Sequence, residues 1–66
     1  MKILKTYQFP NSEKAKEYLL SKGRLEYFGR EGYDCIVYNL IIPDGRKYGV
    51  FLYDKGKEDG KVVFWE

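Results

Sequence analysis

The sequence predicts an α+β fold: one helix packed on one face of a curled, mostly antiparallel sheet, with elements in the order β-α-β-β-β-β and a single domain over residues 1–66. Three observations carry this reading. The stretch "NSEKAKEYLLSK" combines helical spacing with capping residues, five other stretches have strand composition, and the separators "GREG", "PDG" and "DKGKEDG" carry glycine with charged residues, as hairpin connections do. With 66 residues there is room for one small core, and a chain of this size buries only about 60% of its unfolded surface.

The first strand is "KILKTYQF", with Ile3, Tyr7 and Phe9 on one side and Lys2, Thr6 and Gln8 broadly on the other. A helix follows within "PNSEKAKEYLLSKG". Asn11 or Ser12 caps it, Glu13 lies at its positive end and Lys22 at its negative end, and Gly23 supplies a left-handed stop. Ala15, Leu19 and either Tyr18 or Lys22 share one side, a narrow apolar stripe that covers only part of a sheet face.

Four strands come next: "RLEYF", "YDCIVYNLII", "RKYGVFLY" and "KVVFWE". The sequence does not set where the first strand joins them. Pro43 and Asp44 suit the centre of a type I turn and Gly45 the left-handed residue after it, which fixes a register: Ile42 opposite Arg46, Leu40 opposite Tyr48, Tyr38 opposite Val50 and Ile36 opposite Leu52. With Leu25 and Tyr27 added, that face forms the core beneath the helix. The other face carries Glu26, Phe28, Tyr33, Cys35, Val37, Asn39, Ile41, Lys47, Gly49, Phe51 and Tyr53. Its middle is apolar, with Val37 opposite Phe51 and Cys35 opposite Tyr53, and no second helix exists to cover it. Either something outside the monomer covers this face, or the sheet curls strongly. Gly49 marks a bulge or a place where another backbone or an aromatic ring sits close.

Composition narrows the function. Twelve basic and ten acidic residues leave a net charge of +2 with the signs interspersed, which is a solvated surface and not the basic footprint of a dedicated duplex binder. There is no histidine, so the usual acid/base residue near neutral pH is missing. One cysteine excludes an internal disulfide and fits a reducing compartment. The N-terminus lacks the apolar core of a signal peptide and no run reaches the roughly 18 apolar residues of a membrane span, so the expectation is a cytoplasmic, soluble protein with no membrane association.

Chemistry-bearing patterns are weak. Pro43-Asp44 with Asp59-Gly60-Lys61 matches the loose pattern of metal-dependent nucleases, in which two carboxylates hold Mg²⁺ and a lysine steers water. Both pieces fall where turns need those residues for backbone geometry. Cys35 has neither a histidine nor a helix N-terminus to activate it. No catalytic residue, metal site or cofactor is expected.

Aromatic content is the functional lead, since 18% of the residues are Phe, Tyr or Trp. Aromatic side chains bring large contact area to interfaces, and tyrosine keeps a polar tip. The expected function is that of a non-enzymatic binding module that docks on a protein partner, a second copy or a foreign chain, through Phe28, Tyr33, Val37, Phe51 and Tyr53 with Lys47 at the rim. Adaptors, inhibitors and accessory proteins of mobile elements are often chains of this kind. The alternative is single-stranded nucleic acid, stacked on Tyr33 and Tyr53 with Arg24, Arg30 and Lys47 on phosphates. The competing structural account is that these aromatics finish the packing of a twisted sheet, with the first strand or the Trp65 segment folding over them.

Overall fold

The computed structural model describes residues 1–66: β1 (Ile3–Gln8), α1 (Ser12–Lys22), β2 (Arg24–Arg30), β3 (Cys35–Ile41), β4 (Lys47–Tyr53), a 3-10 turn (Gly56–Glu58) and β5 (Lys61–Trp65). The strands form one five-stranded sheet in the order β1-β5-β4-β3-β2, and every neighbouring pair is antiparallel. β1 therefore joins at an edge, beside the last strand, and α1 carries the chain across the sheet to the opposite edge.

The β3–β4 hairpin has the register that the turn dictates. Leu40 pairs with Tyr48, Tyr38 with Val50, Ile36 with Leu52, Val37 with Phe51 and Cys35 with Tyr53. The Ile42 amide donates to the Arg46 carbonyl (3.0 Å), and Gly45 takes φ +96°, where a side chain would be strained. The Asp44 carboxylate accepts from the Arg46 backbone amide (3.0 Å) and side chain (2.7 Å), which closes the turn.

Helix α1 starts where Asn11 accepts from the Lys14 amide (2.9 Å), with Glu13 in its first turn and Lys22 in its last. Asp59 accepts from the Ser12 amide (3.0 Å), so the β4–β5 loop also holds the helix start. Ala15 and Leu19 are fully buried against Tyr38, Leu40, Val50, Leu52 and Val62. Gly23 departs from expectation: its backbone is extended (φ 171°), not left-handed. Glycine is needed there because a Cβ would strike the Ile41 carbonyl, so bareness and not chirality ends the helix.

Two bulges alter the strand reading. One lies between Ile3 and Lys5. Ile3 thus pairs with Trp65 and leaves the side of Tyr7, while Leu4 joins that side. The other lies between Tyr27 and Gly29 and leaves Phe28 unpaired; β2 runs on through Gly29 and Arg30, which the sequence reading placed in the connection. Tyr27, expected in the core, is exposed. On an edge strand it touches Tyr38 edge-on (centroids 6.1 Å apart) and nothing covers its outer side.

The second face of the sheet is largely closed by its own side chains. The Trp65 indole lies flat over Gly49, where a Cβ would run into the ring, and packs on Phe51 (centroids 5.2 Å, planes 33° apart). On this face Cys35, Val37 and Val63 are buried, Val37 and Val63 opposite Phe51 and Cys35 opposite Tyr53, with Val37 only 8% exposed. The Trp65 indole N–H is itself buried without a hydrogen-bond partner. No helix of the protein is long and apolar enough to cross a membrane.

Candidate docking surface

The residues expected to form one docking face separate into three groups. Val37 is buried and cannot present contact area. Phe51 and Tyr53 are half-buried: Phe51 lies under Trp65, and Lys61 sits over the Tyr53 ring at 5.3 Å. Phe28 and Tyr33, by contrast, are 75% and 70% exposed, and Tyr27 joins them at 66%. The exposed aromatic surface has thus moved from the centre of the sheet to the β2 edge and the β2–β3 turn.

That edge is held rigidly. The Arg30 guanidinium donates to the Tyr33 carbonyl (2.8 Å) and to the Asp54 carboxylate (2.7 Å), while the Asp54 amide donates to the Asp34 carbonyl (3.0 Å). These bonds tie the β2–β3 turn to the end of β4. The Arg30 hydrogen bond holds the Asp54 carboxyl below its ordinary range, and Asp54 in turn raises the guanidinium. The clamp ties down the backbone from Arg30 to Asp34, which includes the exposed Tyr33 and follows the exposed Phe28, while Tyr27 rests edge-on against Tyr38.

The cations invoked for nucleic acid are mostly committed. Arg30 is bound to Asp54 and Lys47 lies 3.9 Å from Glu26, whose carboxylate also takes Asn39. Arg24 makes no ion pair.

A second feature was not legible in the sequence. On the helix side, where the short helix ends, an open groove of about 280 Å³ is bounded by Leu4 and Tyr7 from β1 and by Tyr18 and Lys22 from α1. The sheet supplies Leu40, Ile42, Tyr48 and Phe64. Lys22 and Lys5 lie over the Tyr18 and Tyr7 rings, 5.3 and 5.5 Å from the centroids, and neither has a carboxylate partner. Burial, and then the neighbouring Tyr7 phenol, raise the pKa of Tyr18. The narrow Ala15/Leu19 stripe signalled incomplete cover, but the β1 bulge that swings Leu4 into the groove left no mark in the composition.

The acidic pairs serve the fold. Asp44 belongs to its turn through Arg46 and Asp59 to the helix start through Ser12. Burial, followed by the nearby Asp34 charge, pushes the Cys35 thiol up, away from the thiolate a nucleophile needs. Searches against family models, curated proteins and solved structures yield no match for this chain.

Proposed function

We propose that this chain is a non-enzymatic binding module that docks on a protein through the aromatic edge formed by Tyr27, Phe28 and Tyr33. One observation carries the reading: three large aromatic rings stand 66–75% exposed on one clamped edge strand and turn, while Phe51 and Trp65 are packed together on the sheet. Rings held in place bind at low entropic cost, and such aromatics dominate interface energetics. β2 is also an open edge, so its free backbone groups can hydrogen-bond an added strand. The role this suits is that of an adaptor or inhibitor in a reducing compartment such as the cytoplasm, where the lone cysteine stays a thiol.

The single-stranded nucleic-acid alternative has less support, because Arg30 and Lys47 are already paired. Affinity capture with wild type and with Phe28→Ser/Tyr33→Ser, followed by calorimetry on the purified captured protein, tests the proposal. The expected result is at least a ten-fold loss of affinity, the scale of a hot-spot deletion, with the melting temperature held within a few degrees. Equal binding by the double variant overturns the aromatic edge. A labelled single strand that shifts at low salt and releases as salt rises turns the case to nucleic acid.

A further inference from the structure

The aromatic edge and the apolar groove are opposite in shape and in charge, and one chain cannot join its own pair. Phe28 and Tyr33 lie at the β2 edge beside Glu31 and Asp34, acidic residues without ion-pair partners. The groove takes in Leu4 on β1, the other edge of the sheet, and carries Lys22, with Lys5 close by on Tyr7. The groove reaches across the sheet to Leu40 and Ile42 at the end of β3, whereas Tyr33 precedes the start of β3 and Phe28 lies near it, so the two sites sit at opposite ends of the strands in a molecule of 33 × 24 × 19 Å.

At about 280 Å³ the groove falls just below the range of small-ligand sites, roughly 300–1,000 Å³. An open hollow of that size suits one or two aromatic side chains of a protein better than an enclosed ligand. Its ammonium groups favour a segment that brings carboxylates with its rings. The stretch from Phe28 to Asp34 has both.

Resting on the docking reading above, we infer that the partner is a second copy of this chain, joined head to tail: Phe28 of one molecule enters the groove between Tyr7, Tyr18 and Tyr48 of the next, and Glu31 and Asp34 meet Lys22 and Lys5. Donor and acceptor surfaces differ, so the contact is heterologous. Such contacts do not close at two copies and give rings or open chains. A two-fold pairing of β2 edges runs antiparallel, which sets each acidic turn beside the partner's Arg24 end, and it leaves the lysine-rimmed groove unused.

Complementation between variants tests this. Phe28→Ala removes the plug from an exposed bulge, and Leu4→Glu places a repelling carboxylate at the groove, with Lys22→Glu as a second groove variant should Leu4→Glu fail to fold. Light scattering after size exclusion is expected to show wild type growing beyond a dimer with concentration, each variant alone associating at least ten-fold more weakly, and an equimolar mixture forming a dimer and nothing larger. High salt should weaken the wild-type association. Monomeric wild type at millimolar concentration overturns self-recognition and leaves the foreign-partner reading standing. Association lost in Phe28→Ala but intact in both groove variants overturns the groove and keeps the aromatic edge. Association unchanged in Phe28→Ala overturns the head-to-tail contact and leaves the docking reading to the capture experiment. A mixture that stays monomeric while wild type stops at a dimer means a two-fold interface and overturns the head-to-tail contact.

Discussion

The two faces of the sheet are closed by different means. On one, an eleven-residue helix brings Ala15 and Leu19 onto Tyr38, Leu40, Val50 and Leu52. On the other there is no helix; a tryptophan laid across a glycine packs on Phe51, which lies opposite the buried Val37 and Val63, while Tyr53 lies opposite the buried Cys35. An apolar strand in a small protein is therefore not by itself a sign of a missing partner. The side chains left without work stand at the edge of the sheet and beyond the end of the helix, not in its middle.

The sharpest way to break this comparison is to damage each face once. Leu52→Ala empties a fully packed site under the helix and should cost about 2–5 kcal/mol. For a domain of this size, whose total stability is expected near 0.05–0.15 kcal/mol per residue, that removes much of the folded population. Gly49→Val fills the space under the indole and should cost about 1–3 kcal/mol as overpacking. Urea midpoints for both variants give the comparison directly. A harmless Gly49→Val would mean that Trp65 is not seated, and the second face would again be open for a partner.

A smaller effect separates packing from polarity within the lid. Trp65→Ala should cost about 3 kcal/mol, toward the lower end for large aromatic deletions because the ring is half-buried. Trp65→Phe keeps a ring over Gly49 and removes the unpartnered indole N–H, whose burial costs about 1–3 kcal/mol. The loss of contact area and the relief of that N–H oppose each other, so Trp65→Phe should fall within about 1 kcal/mol of wild type in the same denaturation series. A Phe variant as damaged as the Ala variant would show that the indole is bonded after all.

Sequence legibility follows the same division. The hairpin register was readable because Pro43, Asp44 and Gly45 specify one turn and the side-chain period of a strand is two, so one fixed pair fixes all others. The left-handed stop expected at Gly23 is an extended residue, whereas the N-cap of α1 was readable for the same local reason. Bulges were not, because the extra residue at Phe28 or Leu4 depends on how two distant strands settle against each other; Gly29 within "YFGR" was the one available hint. The tryptophan lid was partly legible, since Gly49 invites a close ring and the Trp65 segment was one account of the cover, but the register that sets Trp65 opposite Gly49 was not fixed by a tight turn as in β3–β4. Hence Phe28 and Tyr33 were placed correctly as surface residues, Val37 was not, and the groove was missed.

Titration at high pH addresses the second face more gently. Burial is the first cause that raises both Cys35 and Tyr53, which lie opposite each other in the β3–β4 pair. A thiol or phenol with a folded pKa above its unfolded value stabilises the fold fully below the unfolded value. That contribution is lost as pH climbs, beginning near the ordinary cysteine range of about 8.5. Melting temperature should therefore decline above about pH 8.5, and Cys35→Ala should delay the decline without shifting the neutral plateau much. An unchanged alkaline limb in Cys35→Ala would mean the thiol reaches solvent and the sheet around Tyr53 is looser than the burial of Cys35 implies.

The smallest effect concerns the clamp that links the aromatic edge to the rest of the sheet. Arg30 holds Asp54 below the ordinary carboxyl range, so the ion pair contributes fully above the unfolded value near 3.9 and is lost as pH falls through the lower folded one. Asp44 titrates in the same direction through Arg46, but that pair spans two residues of one turn. It can form in the unfolded chain as well, so its share of the folding linkage is smaller. Wild type and Asp54→Asn should then differ in melting temperature at pH 7 and converge below about pH 4, whereas wild type and Asp44→Asn should differ little at either. Because the clamp fixes the Tyr33 carbonyl, Asp54→Asn should also speed amide exchange across Glu31–Cys35 more than in β5. Uniform acceleration would mean that the aromatic edge opens only with the whole sheet, and that its rigidity comes from the β2–β3 ladder and not from Arg30.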